Sequence, residues 1–123
     1  MTNQEIGILG ENAAADFLKE KGYAILERNY RVGHLEIDII ALKDGILVFV
    51  EVKTRAADYL VAPQEAVNNR KQNLIINAAN GYIRHHKRTE EARLDVITVL
   101  HKNGKVTNVS HIENAYYPTV RTH

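Results

Sequence analysis

The hydrophobic residues change their spacing along the chain, and each change marks the boundary of a predicted element. The first set recurs at the intervals of an amphipathic helix and consists of Ile6, Leu9, Ala13, Phe17 and Leu18. Thr2 and Glu5 have the spacing of a capping box, and Gly22 follows the set as a C-terminal stop. The pattern therefore predicts a helix over about residues 3–21.

Segments rich in β-branched and aromatic residues follow, and together they predict five strands. The stretch 23–31 has the composition of one strand. The stretch 35–55 holds two apolar runs around Asp44-Gly45, and 93–113 holds two around Asn103-Gly104, so each predicts a β-hairpin. Both faces of the first hairpin are largely apolar, which predicts a central place in a sheet that is covered on both sides.

The residues between the two hairpins predict a loop over 56–64 and a second helix over about 64–86. The element order α-β-β-β-α-β-β indicates an α/β fold in which a central mixed β-sheet is flanked by α-helices. We expect a single domain over residues 1–123, with its core at about 3–113 and an irregular C-terminal tail. Asp95 is expected to anchor its strand through a hydrogen bond.

The first hairpin brings four charged residues together if Asp44-Gly45 forms a two-residue turn. That turn sets Asp38 directly opposite Glu51 and Glu36 directly opposite Lys53, all on one face, with opposed Cβ atoms ~5 Å apart. A four-residue turn keeps this register, whereas a three-residue turn would slip it by one and separate the pairs.

Two facing carboxylates repel each other, and burial raises their pKa values, so stability alone does not favour this arrangement. A hard divalent cation would resolve the repulsion, because Mg²⁺ takes oxygen ligands and commonly binds one or two carboxylates. Lys53 could then assist an attacking water or stabilise charge on a phosphate. The alternative is a cross-strand ion pair of Glu36 with Lys53, with Asp38 and Glu51 at a solvated sheet end. Spacing alone does not separate these two interpretations.

Composition narrows the chemistry without changing the fold. The chain has 45% hydrophobic and 25% charged residues, as globular proteins do, and no cysteine, which excludes disulfides, thiolate nucleophiles and Cys-based zinc sites. Its N-terminus lacks the basic start and apolar run of a signal peptide, and no apolar run approaches the ~20 residues of a membrane span. We expect a soluble, cytoplasmic protein without a membrane partner.

Basic residues are distributed unevenly, although the net charge is only +1. Residues 84–88 read RHHKR, and such local patches matter more than the total charge when a polyanion is bound. The cations expected to hold phosphates without reading base sequence are Arg28, Arg31, Arg55, Arg70 and Lys71. The ordinary alternative is that each of these side chains only solvates the surface.

The motif residues resemble a known group of enzymes. Asp38 followed by Glu51-Val52-Lys53 resembles the D…(D/E)xK signature of the PD-(D/E)xK nuclease superfamily, which has the restriction-endonuclease-like fold. The chain also resembles the YraN-like family of small bacterial proteins, which is similar to archaeal Holliday-junction resolvases. Further positions that match this family's pattern are Gly7, Gly10-Glu11, Ala14, Phe17-Leu18, Gly22-Tyr23, Ile25-Leu26, Arg28-Asn29-Tyr30-Arg31, Glu36-Ile37, Phe49-Val50, Thr54-Arg55, Ala66-Val67, Lys71-Gln72, Ala78-Ala79 and Leu94-Asp95-Val96.

The resemblance implies that Asp38 and Glu51 bind Mg²⁺ or Mn²⁺ and that Lys53 assists the attacking water. It implies that Glu11 is the acid that the first helix presents to the site, and that Gln72 is a polar residue reaching the same cleft. The chain departs from the family at Leu35, where glycine is usual, and this departure leaves the acids intact.

The function expected from these observations is a metal-dependent endonuclease that hydrolyses phosphodiesters in duplex, branched or junction DNA. Glu36 is assigned to the site as a partner of Lys53 or as a further metal ligand. Action on a four-way junction would require a homodimer. A catalytically weak or inactive, structure-selective nucleic-acid-binding protein is the main alternative, and a plain interaction module is a third. The sequence does not indicate which nucleic-acid structure is the substrate, or whether the substrate is DNA or RNA.

Overall fold

The computed structural model describes residues 1–58 and 69–115, without the side chains of residues 69–71. Within these ranges the predicted order of helices and strands is confirmed. The elements are α1 (Asn3–Glu20), β1 (Ala24–Val32), β2 (Leu35–Lys43), β3 (Ile46–Ala56), α2 (Asn69–His85), β4 (Glu91–Lys102) and β5 (Lys105–Ile112). The predicted helix start at 64, most of the predicted loop and the tail after residue 115 lie outside the described residues.

Helix α1 begins with the predicted capping box. The backbone N–H of Glu5 donates to Thr2 Oγ1 at 3.1 Å, and the backbone N–H of Thr2 donates to Glu5 Oε1 at 2.8 Å. These two bonds satisfy donors that the first helical turn leaves without intrahelical partners. At the other end, Gly22 adopts a φ of 91°, which ends the helix where the sequence predicted.

The five strands form one sheet in the order β1-β2-β3-β4-β5. Strands β3 and β4 pair in parallel, and the other neighbours pair antiparallel, so the predicted mixed sheet is confirmed. Both hairpins turn through two left-handed residues, with φ values of 52° and 76° at Asp44-Gly45 and 52° and 75° at Asn103-Gly104. These φ values suit the right-handed twist of the flanking strands.

A separate hydrophobic core fills each side of the sheet. The α1-side core consists of Ala14, Ala15, Leu18, Tyr23, Ile39, Ala41, Val48, Val50, Ile97 and Val99. The α2-side core consists of Ile37, Ile40, Leu47, Phe49, Ala78, Ala79, Tyr82, Leu94 and Val96. Strands β2 and β3 contribute to both cores, which confirms the prediction that the first hairpin lies centrally and is covered on both sides.

Strand β1 is irregular at Asn29, which has a φ of 53°. Residues two apart in a regular strand share a face, but Arg28 and Tyr30 do not. Arg28 Nη2 donates to Asn12 Oδ1 of α1 at 2.8 Å, whereas the Tyr30 ring packs edge-on against Tyr82 of α2, 5.0 Å between centroids. The strand therefore changes sides at Asn29.

Strand β2 makes the same change at Asp38. Ile37 belongs to the α2-side core and Ile39 to the α1-side core, although they are two residues apart. Asn29 and Asp38 both lie between the ladder pairs Arg28–Ile39 and Tyr30–Ile37. The two adjacent strands thus share one irregularity, and alternation along the sequence does not predict it.

Candidate functional site

Asp38 lies where β2 separates from β3. The ladder between the two strands has the predicted register from Lys43–Ile46 to Ile39–Val50, and in the described residues it ends there. Beyond that point, the backbone N–H of Val52 donates to Asp38 Oδ2 at 2.7 Å. The prediction that Asp38 lies directly opposite Glu51, and Glu36 opposite Lys53, as ladder pairs is therefore wrong, because the strands have parted before these positions.

The Asp38 carboxyl is partly buried among other acids. Burial is the main cause that raises its pKa from an ordinary 3.8 to about 7, and the charges of Glu11, Glu51 and Glu36 raise it further. The hydrogen bond from Val52 acts in the opposite direction and favours the ionised form. The site therefore holds a carboxyl group that is poised between its two protonation states near neutral pH.

Three of these acids come close enough to hold a metal ion. One carboxylate oxygen each from Glu11, Glu36 and Asp38 lies within 4.8 Å of the others. Oxygen ligands from carboxylates suit hard divalent cations such as Mg²⁺ and Mn²⁺. The three carboxylates therefore form a donor set that could hold such a cation.

Glu11 reaches the group because α1 lies unusually close to β3. A Cβ placed on Gly10 would collide with Thr54 Oγ1 and lie 2.9 Å from the Cβ and Cγ2 of Thr54, so only glycine permits this approach. In addition, Asn29 Nδ2 donates to Glu11 Oε1 at 2.9 Å. The helix acid is thus placed by a close backbone approach and by a polar contact from β1.

Glu51 and Lys53 are half-buried on β3 and point to the other side of the sheet from Glu11. Val50 and Val52, which alternate with them, pack in or against the α1-side core. The prediction that Glu36, Asp38, Glu51 and Lys53 share one face is therefore wrong. Its physical reason is the irregularity at Asp38, which takes the acids of β2 towards α1.

A cleft of about 320 Å³ lies over the end of the β2–β3 ladder. Glu36, Asp38 and Glu51 contribute its acidic wall, and Leu74 and Ile75 of α2 contribute an apolar wall. Glu51 therefore shares the cleft with Asp38, although its oxygens lie outside the group of three. Gln72 is half-buried on the first turn of α2 and is not among the described residues that line this cleft.

Two of the predicted phosphate-binding residues lie on β1. Arg28 is exposed and donates to Asn12, as described above. Arg31 lies opposite Glu36 in the ladder, with 3.7 Å between Arg31 Nε and Glu36 Oε2, and its side chain is 75% exposed. Glu36 thus has an ion-pair partner on β1 that the sequence did not indicate.

The remaining predicted cations lie on β3 and α2. Arg55 is half-buried, and its Nη1 donates to the carbonyl oxygen of Thr54 at 3.0 Å. Arg70 and Lys71 lie on the first turn of α2, and their side chains are outside the described residues. Among the predicted cations, Arg31 therefore lies beside an acid of the site, Glu36.

A buried polar network on β4 supports the sheet on the α1 side. Asp95 has no exposed side-chain surface, and both of its oxygens accept from Arg93, at 2.9 Å from Nε and 3.0 Å from Nη2. Asp95 also lies 2.7 Å from His111 Nε2 and accepts from the backbone N–H of Asn114 at 2.9 Å. The expected anchoring of this strand is confirmed, although its partners were not predicted.

Asn29 is the residue of this region that sequence reasoning did not assign to the site. It follows Arg28 in the motif Arg-Asn-Tyr-Arg, but nothing in the local periodicity marks it as irregular. The available signal was its residue type, because asparagine tolerates a left-handed backbone better than most residues.

No helix in the described ranges is long and apolar enough to cross a membrane.

Two of the solved structures that match the fold do so weakly. An XisH family protein from Nostoc punctiforme matches with a TM-score of 0.38 at 13% identity, over 82% of this chain and 98% of that chain. A fdxN element excision controlling factor protein from Anabaena variabilis matches with a TM-score of 0.33 at 13% identity, over 87% and 98%.

Sequence comparison gives a much stronger relationship. The model of the uncharacterised protein family UPF0102 matches residues 10–99. A UPF0102 protein from Bacteroides thetaiotaomicron is 43% identical over 116 residues, covering 94% of this chain and 95% of the relative. Another from Trichlorobacter lovleyi is 46% identical over 116 residues, covering 93% and 91%. The chain belongs to the UPF0102 family.

Proposed function

We propose that this protein is a metal-dependent DNA endonuclease of the PD-(D/E)xK type, with a restriction-endonuclease-like fold similar to that of archaeal Holliday-junction resolvases. The observation that carries the proposal is the meeting of Glu11, Glu36 and Asp38 at the end of the β2–β3 ladder. The neighbouring strand supplies Glu51 to the same cleft and Lys53 two residues later.

The donor set fits a divalent cation. Burial and three neighbouring acids raise the pKa of Asp38 to about 7, and a bound cation would favour its ionised form. Asp38 would hold Mg²⁺ or Mn²⁺ together with Glu11 and Glu36, and Glu51 would contribute from the neighbouring strand, β3, in the same cleft. Such an ion supplies an activated water and polarises the phosphodiester.

The residues of the chain supply the remaining requirements. Lys53 lies two residues after Glu51 and on the same side of β3. Its ammonium group would stabilise negative charge on the phosphate under attack. Arg31 and Arg55 would hold the flanking phosphates of duplex, branched or junction DNA. Cutting both strands of a junction would use two copies of the chain.

One observation favours a second candidate, a structure-selective nucleic-acid-binding protein that cleaves weakly or not at all. The oxygens of Glu51 are not part of the closely spaced group that Glu11, Glu36 and Asp38 form. If Glu51 does not share the cation, the ion would order the acids and shape the cleft without contacting the Glu-x-Lys pair.

Cleavage and binding assays separate the two candidates. Duplex, flapped, four-way and single-stranded DNA, and a matched RNA duplex, would be incubated with Mg²⁺ or Mn²⁺. The enzyme predicts metal-dependent cleavage that Glu51→Gln and Lys53→Met abolish while DNA binding survives, with the exposed Glu91→Gln as the control that retains both. Salt-dependent binding without cleavage under either metal would support the second candidate. Absence of both cleavage and binding would refute the proposal.

A further inference from the structure

Asn29 combines an unusual backbone with a contact to the acidic group. Its φ of 53° lies in the left-handed region that few residues other than glycine, asparagine and aspartate adopt. This conformation is the point at which β1 changes sides, between Arg28, which contacts α1, and Tyr30, which contacts α2. The side chain of Asn29 therefore does not follow the regular alternation of side chains between the two faces of the sheet.

The contact is with the helix acid itself. Asn29 Nδ2 donates to Glu11 Oε1 at 2.9 Å, and oxygens of Glu11, Glu36 and Asp38 lie within 4.8 Å of one another. Three carboxylates at this spacing repel, so the flexible side chain of the half-buried Glu11 would otherwise turn away from the other two. A donor fixed to the sheet opposes that movement.

The two demands at this position select asparagine. Glycine would accept the left-handed backbone but would offer no side-chain donor. Aspartate would accept the backbone but could not donate to a carboxylate when ionised. Most other donors have side chains that disfavour this backbone.

We propose that Asn29 is a positioning residue for the acidic site, which fixes the Glu11 carboxylate beside Asp38 and Glu36 for binding of a divalent cation. The inference rests on the proposed function, because the positioning has a consequence only where these acids hold the ion. The adjacent bond from Arg28 to Asn12 joins the same strand to the same helix without contacting an acid.

That neighbouring bond provides a matched control. Asn29→Gly keeps the left-handed backbone and removes the donor to Glu11. Asn12→Ala removes a different side-chain bond between α1 and β1, the one from Arg28, and leaves Glu11 untouched. Asn103→Gly makes the same substitution at a φ of 52° in the turn between β4 and β5, and so reports the general effect on stability.

The experiment measures Mn²⁺ affinity by titration calorimetry on the full chain, with melting temperature recorded for each variant. We expect Asn29→Gly to weaken Mn²⁺ binding about tenfold, as loss of a residue that orients a metal ligand typically does. Asn12→Ala and Asn103→Gly should stay within about twofold of the wild type, and Glu11→Ala should weaken binding at least as much as Asn29→Gly.

The other outcomes overturn either the positioning role alone or the positioning role together with the proposed function. If the wild type binds Mn²⁺ and Glu11→Ala weakens it, but Asn29→Gly does not, the positioning role fails and the proposed function survives. If Asn12→Ala weakens binding as strongly as Asn29→Gly, attachment of the helix rather than orientation of Glu11 is responsible, and the positioning role again fails. If the wild type does not bind Mn²⁺, the proposed function and this inference fail together.

Discussion

The carboxylate of Asp38 takes the place of a strand partner for the backbone N–H of Val52, at 2.7 Å. The N–H belongs to the part of β3 that the ladder with β2 no longer reaches. A side chain therefore completes hydrogen bonding that backbone would otherwise supply. The same bond fixes one oxygen of an acid that also lines the cleft.

Asp38→Asn should stabilise the metal-free protein at alkaline pH. The pKa of Asp38 is raised from 3.8 to about 7, so the folded state retains a proton between these values that the unfolded state has lost. Wild-type stability should therefore fall as pH rises from about 4 to 7, by roughly 1–4 kcal/mol. Asparagine keeps an acceptor for Val52 and carries no charge, so it should remove this fall.

Urea unfolding between pH 4 and pH 8 in the presence of a chelator measures this effect. The variant and the wild type should have similar free energies of unfolding at pH 4 and should diverge above it. The exposed Asp16→Asn on α1 serves as the control and should follow the wild type. Parallel pH profiles for wild type and Asp38→Asn would contradict the raised pKa.

Gly10→Ala should destabilise the protein by about 2 kcal/mol or more, because the new methyl group overlaps Thr54 across the α1–β3 contact. Gly7→Ala on the same helix meets no atom within 4 Å and should instead stabilise by about 0.5–1 kcal/mol through helix propensity. Thermal unfolding of both variants is the measurement. Partial recovery in Gly10→Ala combined with Thr54→Ala would assign the loss to this contact.

Asp95→Asn should cost about 3 kcal/mol in the free energy of unfolding at neutral pH, because Arg93 and His111 would face an amide in a buried site. Glu113→Gln, at the exposed end of the same network, should change stability by less than about 0.5 kcal/mol. Chemical denaturation compares the two variants. Equal effects of the two substitutions would show that burial of Asp95 does not determine its contribution to the free energy of unfolding.

The contribution of Asp95 to stability depends on pH with the opposite sign to the contribution of Asp38. Burial alone would raise the pKa of Asp95, but hydrogen bonds from His111, Arg93 and Asn114 hold it below its ordinary 3.8. The stabilisation is therefore complete above pH 3.8 and is lost as pH falls through the lowered pKa. The gap between wild type and Asp95→Asn should narrow in acid, which acid titration of each protein would test.

Arg31→Gln should weaken DNA binding and reduce the slope of log affinity against log salt by about 1, as loss of one phosphate contact does. Its ion pair with Glu36 spans 3.7 Å with a 75% exposed arginine, so stability should change by less than about 0.5 kcal/mol. Lys105→Gln, on β5 at the opposite edge of the sheet, is the control for total charge. An equal loss of slope in both variants would indicate non-specific attraction.

The sequence predicted those parts of the fold that depend on interactions between residues close together in the chain. The capping box at Thr2 and Glu5 and the turn at Asp44-Gly45 act within a few residues, and both formed as expected. The register of the first hairpin followed from its turn, because each pair fixes the next. These features together account for the element order and for the central position of β2 and β3.

The placement of the acids did not follow from the same reasoning. Alternation holds only while a strand stays regular, and Ile37 and Ile39 lie on opposite sides because the strand shifts at Asp38. That shift is shared with Asn29 of a different strand, so it depends on pairing between strands and not only on the residues around Asp38. Glu11 was assigned to the site from the family resemblance. The helical periodicity of α1 alone could not have supplied this assignment.

The change of sides in β2 has a consequence for mutations far from the cleft. Ile37 is embedded in the α2-side core and Ile39 in the α1-side core, so the backbone of Asp38 is held by both layers at once. A cavity opened in either core removes support from the same carboxylate. Core variants on both sides should therefore be tested for folding before a loss at the acidic site is attributed to its chemistry.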